Sequence, residues 1–186
     1  AGRRVQFKML PPASWRFGQC QFSHLLLPSE FMSGDFVDYF AIDDHRAGFY
    51  MADVSGHGVA SAFVTVFLKR FVATSLDAHR QQQSSAIDDP SRLLAQLNHE
   101  LLRDKMGKHV AIFYAVLDEA AHTLTYANAG ATPYPLLADQ QGTRYVEARS
   151  TPAGLFVTTQ YSNYTLPLPE QFRLLLCSDG VLEVLP

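Results

Sequence analysis

Short apolar runs bounded by Gly, Pro and Asp fill most of this chain, and helical spacing of apolar positions is sustained in only two stretches. Gln19–Leu27 reads as extended and Pro28-Ser29-Glu30 as a turn. Ser33 to Ile42 is rich in strand formers, Asp43-Asp44-His45-Arg46 reads as a loop, and Ala47 to Ala52 as the returning strand. Val59 opens a helix expected to reach about His79, with Phe63, Val66, Phe67, Arg70, Phe71 and Thr74 on a broad inward face and the aromatics in the core. After the polar connection 81–85, Asp89-Pro90 supplies the N-cap and first-turn proline of a second helix. Its buried stripe is Leu93, Leu94, Leu97, Leu101 and Leu102, and its stop is Gly107. Val110–Leu117 and Thr123–Asn128 form a second hairpin about the turn 118–122. Short strands are expected at 135–137, 143–148 and 161–168, then a buried one at 172–177, and a helix begins after Gly180. Hairpins dominate and the helices are grouped between them, which predicts an α+β fold with antiparallel sheets.

Length and composition narrow the class. At 186 residues, 47% apolar and 18% charged, the chain reads as one globular domain with a sizeable core. A net charge of −3 with no basic block leaves no footprint for nucleic acid. Cys20 and Cys177 make no disulfide framework, and Cys177, in an apolar run, reads as a small buried hydrophobe. That favours a reducing compartment, with the cytoplasm as the expected location. No unbroken run reaches the roughly 18 apolar residues of a membrane span, so no membrane partner is expected. Val5, Met9 and Leu10 line one face before Pro11-Pro12, so residues 1–12 read as a lead-in from an upstream module or as a frayed terminus, and 13–186 as the domain.

The candidate chemistry is acidic. Asp53-Val-Ser-Gly-His-Gly58 places a carboxylate where a strand ends, then a glycine-bearing turn, then a helix. Such a turn suits a metal and a phosphate. If residue 42 pairs with 47, Asp53 lies opposite Phe36 and Asp35 opposite Val54, so two carboxylates meet at the open end of one hairpin. Like charges so close repel, and a divalent cation relieves them. Asp38, three residues from Asp35, belongs to the other face, in a supporting or surface role. Phe172–Cys177 runs into Ser178-Asp179-Gly180, a second strand ending in Asp-Gly. Oxygen ligands from Asp35, Asp53 and Asp179 without a His/Cys cluster point to Mn2+ or Mg2+ rather than zinc. The histidines at 45, 79, 99, 109 and 122 read as turn or helix-face residues.

An ordered set of motifs then resembles one family. Ser33-Gly34-Asp35-Phe36-Val37-Asp38 looks like the Gly-Gly-Asp-Phe-Tyr-Asp motif of PPM (PP2C-like) phosphatases of the bacterial SpoIIE/RsbU branch, and Asp53 to Gly58 matches that branch nearly letter for letter. Leu97-Asn98 to Leu102, Phe113 to Asp118, Tyr126 to Gly130, Gly154-Leu155 and Ser178 to Val181 follow in the family's order, over nearly the whole chain. The resemblance implies a four-layer α-β-β-α sandwich of two antiparallel sheets flanked by helices, with a site for two Mn2+ or Mg2+ ions at one edge. It implies hydrolysis of phosphoserine or phosphothreonine by metal-activated water. By position, Asp53 would bridge the metals, the Val54 carbonyl would complete one coordination sphere, and Asp35 and Asp179 would serve one metal. His57 would help the leaving group or simply hold the turn.

The chain departs from the pattern at Ser33, where the family has Gly, and at Ala131, where it has His. A further metal-binding Asp of the family lies beyond position 186, so the domain is expected to stop short of its C-terminal end. Branch members act on a phosphorylated anti-sigma-factor antagonist in partner-switching circuits, which sets the expected substrate. The lead-in resembles that of a response-regulator output domain of the RssB type, with a receiver domain upstream in the same chain; a homodimer is compatible with this reading. The alternative is an inactive phosphatase-fold module that binds a sigma-factor regulator.

Overall fold

The computed structural model describes residues 8–26 and 34–181. Of the lead-in, residues 8 and 9 are helical; Val5, the turn 28–30, Ser33 and residues 182–184 lie outside the described residues. The elements are β1 (Ser14–Phe17), β2 (Cys20–Ser23), β3 (Asp35–Ala41), β4 (Arg46–Val54), α1 (Val59–Arg80), a 3-10 turn (Ala86–Asp88), α2 (Pro90–Arg103), β5 (Val110–Asp118), β6 (Thr123–Ala129), β7 (Leu136–Asp139), β8 (Gly142–Tyr145), β9 (Tyr164–Pro167) and β10 (Phe172–Leu175). They form a five-stranded sheet in the order β3-β4-β5-β6-β9, a three-stranded sheet β10-β7-β8 and the β1-β2 hairpin.

The central strands β4 and β5 are apolar on both faces because both faces are covered. Tyr50, Ala52, Ile112 and Tyr114 pack under the helices against Val64, Leu68, Leu94 and Leu97. Phe49, Phe113, Ala115 and Leu117 face the small sheet and the first hairpin, meeting Phe17, Leu137 and Val146. The expected sandwich of antiparallel sheets is therefore present. Both long helices cover the outer face of the larger sheet, and the second helical layer of the expected four is not among the described residues.

Local signals explain the helix ends. The Asp89 side chain accepts the Arg92 N–H as N-cap, with Pro90 in the first turn. α2 ends at Arg103, ahead of the expected stop at Gly107, with Lys105 in the left-handed region at φ 49°. α1 is, among the described residues, the one helix long and apolar enough to cross a membrane by length and composition, with a mean hydropathy of 1.5. Lys69 and Arg70 break its apolar run, which is why no continuous span is visible in the sequence.

Three expectations need correction. The inward face of α1 is Ser61, Val64, Thr65, Leu68 and Val72. Phe63 is 64% exposed, while Phe67 and Phe71 lie partly buried at the flank of the core. The small Ser61 and Thr65 allow the helix to sit close to the sheet, and their hydroxyls donate to the Ser55 and Ala62 carbonyls. The first large hairpin has Ala41 opposite Ala47, one residue from the expected register. The Asp43 carboxylate accepts the N–H groups of His45 and Arg46, so the loop is 42–45 and Arg46 joins the strand. The last strand stops at Leu175 and is half-exposed, with Leu175 itself on the outside; Cys177 is only partly buried.

Leu94→Ala should cost about 2–5 kcal/mol by urea denaturation. Phe63→Ser should stay within about 0.5 kcal/mol. Equal losses in the two variants would contradict this helix orientation.

Candidate metal centre

Asp35 opens β3, Asp53 is the penultimate residue of β4, and the ladder sets them directly opposite each other. Opposed side chains share a face, with Cβ atoms about 4.5–5.5 Å apart. That face looks into the sandwich, where Asp53, Ala111, Cys177 and Asp179 line a cleft of about 100 Å³. Asp179 reaches it from the small sheet, four residues after β10 ends. One hairpin thus supplies two acids and the opposite sheet the third.

The electrostatics reflect this approach. Partial burial, then the charge of Asp35, then that of Asp179 push the Asp53 carboxyl up to about 6. Among the described residues, no three His, Cys, Asp or Glu side chains stand close enough to hold a metal ion by themselves. Asp179 is therefore within Coulombic reach of Asp53 without completing a tight triad.

A hard divalent cation fits the donors present. A Cβ on Gly34 would lie 2.3 Å from the Val54 carbonyl oxygen and 3.2 Å from Asp53 Oδ1, so the bare glycine leaves both oxygens clear. The set is two carboxylates, a main-chain carbonyl and a third acid nearby, all oxygen. His57 is exposed on the turn between Gly56 and Gly58.

The Stage II sporulation protein E (SpoIIE) family model matches residues 43–186. The chain belongs to the SpoIIE family. It is 33% identical over 171 residues to the phosphoserine phosphatase RsbP of Bacillus subtilis (strain 168), across 89% of this chain and 40% of RsbP. It is 28% identical over 159 residues to the phosphoserine phosphatase RsbU of the same organism, across 84% of this chain and 45% of RsbU. The chain spans less than half the length of these relatives. The solved SiaA-PP2C domain of Pseudomonas aeruginosa shares the fold at a TM-score of 0.66 and 19% identity, over 80% of this chain and 56% of that one.

Several supports of this cleft were not visible as such in the sequence. Ser55 N–H donates to the His109 carbonyl at 2.9 Å and Ser55 Oγ accepts the His109 N–H at 3.1 Å, clamping the turn to the start of β5. Buried Asn128 donates to the Ala131 and Ala148 carbonyls and accepts the Ala131 N–H, shaping the cleft wall at the position that departs from the family's His. The Asn-Ala-Gly motif carried that signal. Asp38 is buried rather than on the surface: Lys69 of α1 donates to it at 2.6 Å and its neighbour Tyr39 N–H at 3.0 Å. Burial raises its carboxyl, against the pull of Lys69. A salt-bridging lysine on α1, 31 residues away, could not be paired with it from spacing alone.

With its folded value above the ordinary 3.8, Asp53 keeps a proton that the unfolded chain releases. Stability of the metal-free protein should therefore fall as pH rises from about 4 through about 6, and Asp53→Asn should flatten that fall. Denaturation midpoints at about pH 4.5 and about pH 7.5 test this; the same pH dependence in both proteins would refute the assignment.

Proposed function

We propose that this domain is a metal-dependent protein serine/threonine phosphatase that hydrolyses a phosphoserine of a regulatory protein, with an anti-sigma-factor antagonist as the substrate class. The direct opposition of Asp35 and Asp53 at the mouth of the cleft carries the reading. The names of RsbP and RsbU as phosphoserine phosphatases support it.

In this reading Asp35, Asp53, Asp179 and the Val54 carbonyl would hold two Mn2+ or Mg2+ ions. The ions supply Lewis acidity toward water and the phosphoryl oxygens, and neutralise charge between the acids. The chain's own part is placement. The β3–β4 ladder aligns two carboxylates, and the Ser55–His109 clamp holds the glycine turn beside them. Hydrolysis joins a water oxygen to phosphorus and breaks the bond from phosphorus to the serine oxygen, which leaves with a proton. His57, exposed on the turn, is the candidate proton donor.

A second reading, a phosphatase-fold module that binds a sigma-factor regulator without turnover, is favoured by one observation: no three ligating side chains converge among the described residues. One assay separates the two. With Mn2+, the wild type should release phosphate from a phosphoserine protein, and chelator should abolish it. Asp53→Asn should lower kcat by more than about a hundredfold, beyond what loss of a supporting group alone costs. Turnover surviving both treatments would overturn the mechanism, and Mn2+ binding without turnover would favour the module.

A further inference from the structure

We propose that Lys108 receives the phosphoryl oxygens of the incoming phosphoserine, reaching over the bare backbone of Gly56. The inference rests on the phosphatase reading and adds the side chain that holds the substrate's charge.

Position comes first. Beyond the last β4–β5 pair, Val54 with Val110, Ser55 meets His109 through two hydrogen bonds. One step farther out, Lys108 stands across from Gly56. Its ammonium comes down onto the turn: a Cβ on Gly56 would lie 2.7 Å from Lys108 Nζ. Gly56 also has φ 77°, a conformation side chains resist, and its bare main chain is what lets the cation approach so closely.

The stem of Lys108 is fixed and its tip is free. His109 is clamped to Ser55, and Val110 exchanges backbone hydrogen bonds with Ala153 at 2.8 and 2.9 Å. The residue is half-buried, yet among the described residues its ammonium makes no hydrogen bond or ion pair. Such a group has three donors to offer an acceptor.

The charge balance gives the acceptor. The acids gathered around Asp53 are Asp35 and Asp179. Two divalent cations set against these three carboxylates and a phosphate monoester dianion leave a net negative charge. A lysine over the turn that follows Asp53 would offset it and serve the phosphoryl group as a point charge.

The test measures binding of inorganic phosphate to the Mn2+-loaded protein by calorimetry, together with Mn2+ affinity, thermal stability and steady-state kinetics on a phosphoserine peptide. Lys108→Met should leave Mn2+ affinity and stability unchanged, weaken phosphate binding about tenfold or more, and raise KM by a similar factor. Lys108→Arg should recover most of both. Unaltered phosphate affinity in Lys108→Met, or no phosphate binding by the wild type, would overturn the proposal. Loss of Mn2+ binding or stability with Lys108→Met would overturn it too, by assigning Lys108 to holding the turn. Failure of the phosphatase reading looks different: the wild type would not turn over phosphoserine, yet would still bind phosphate through Lys108.

Discussion

Two carboxylates set opposite each other at the mouth of a hairpin repel, and this sandwich leaves them nowhere else to go. β4 is covered on one face by helices and on the other by the small sheet, so Asp53 cannot retreat by bending the strand. β3 is tied to β4 along seven consecutive pairs, which brings Asp35 with it. The third acid arrives from the opposite sheet, through a segment that leaves regular pairing after Leu175. The strain is local and electrostatic, and it sits where a glycine-rich turn leaves main-chain atoms accessible. A cation would relieve it, and that is the physical basis of the proposed metal-dependent reading.

Much of this was legible in the sequence because it depends on short-range chemistry. Asp89-Pro90 announces α2, and two strand-forming runs about the polar turn 118–122 announce the β5–β6 hairpin. The hairpin that carries the acids was legible to within one residue; the error came from the loop, where Asp43 captures two N–H groups and draws Arg46 into the strand. The face of α1 was misread because aromatic bulk marks a core-facing side only when the partner surface has room for it. Here Ser61 and Thr65 take the close contact and Phe63 is turned outward. The Asn98 ties and the Asn128 tie to Ala148 reach 20 to 58 positions along the chain, and nothing in local spacing announces such pairs.

The Asn98 ties hold the irregular loop between β8 and β9 to α2. Asn98, buried on α2, accepts the Gly154 N–H at 2.7 Å and donates to the Phe156 carbonyl at 3.0 Å. The same loop meets the N-terminus of α2 through Asn163, which bonds to both Asp89 and Ser91. With Ser55 and Asn128, side-chain amides and hydroxyls fix the irregular segments around the cleft where no ladder can.

The buried Asp38–Lys69 pair has a consequence for how the chain finds this arrangement. β3 is apolar on both sides, Phe36 and Phe40 toward the helices and Val37, Tyr39 and Ala41 toward the small sheet, so oiliness alone scarcely tells one alignment from its neighbour. Sliding by a single residue would turn Asp38 away from Lys69 and take the buried carboxylate from its cation, a misfit far harder to absorb than an exchanged aromatic ring. A charge in the interior thus acts as a spelling check on strand alignment, remote from the chemistry yet deciding whether the acids at the strand's end face each other at all.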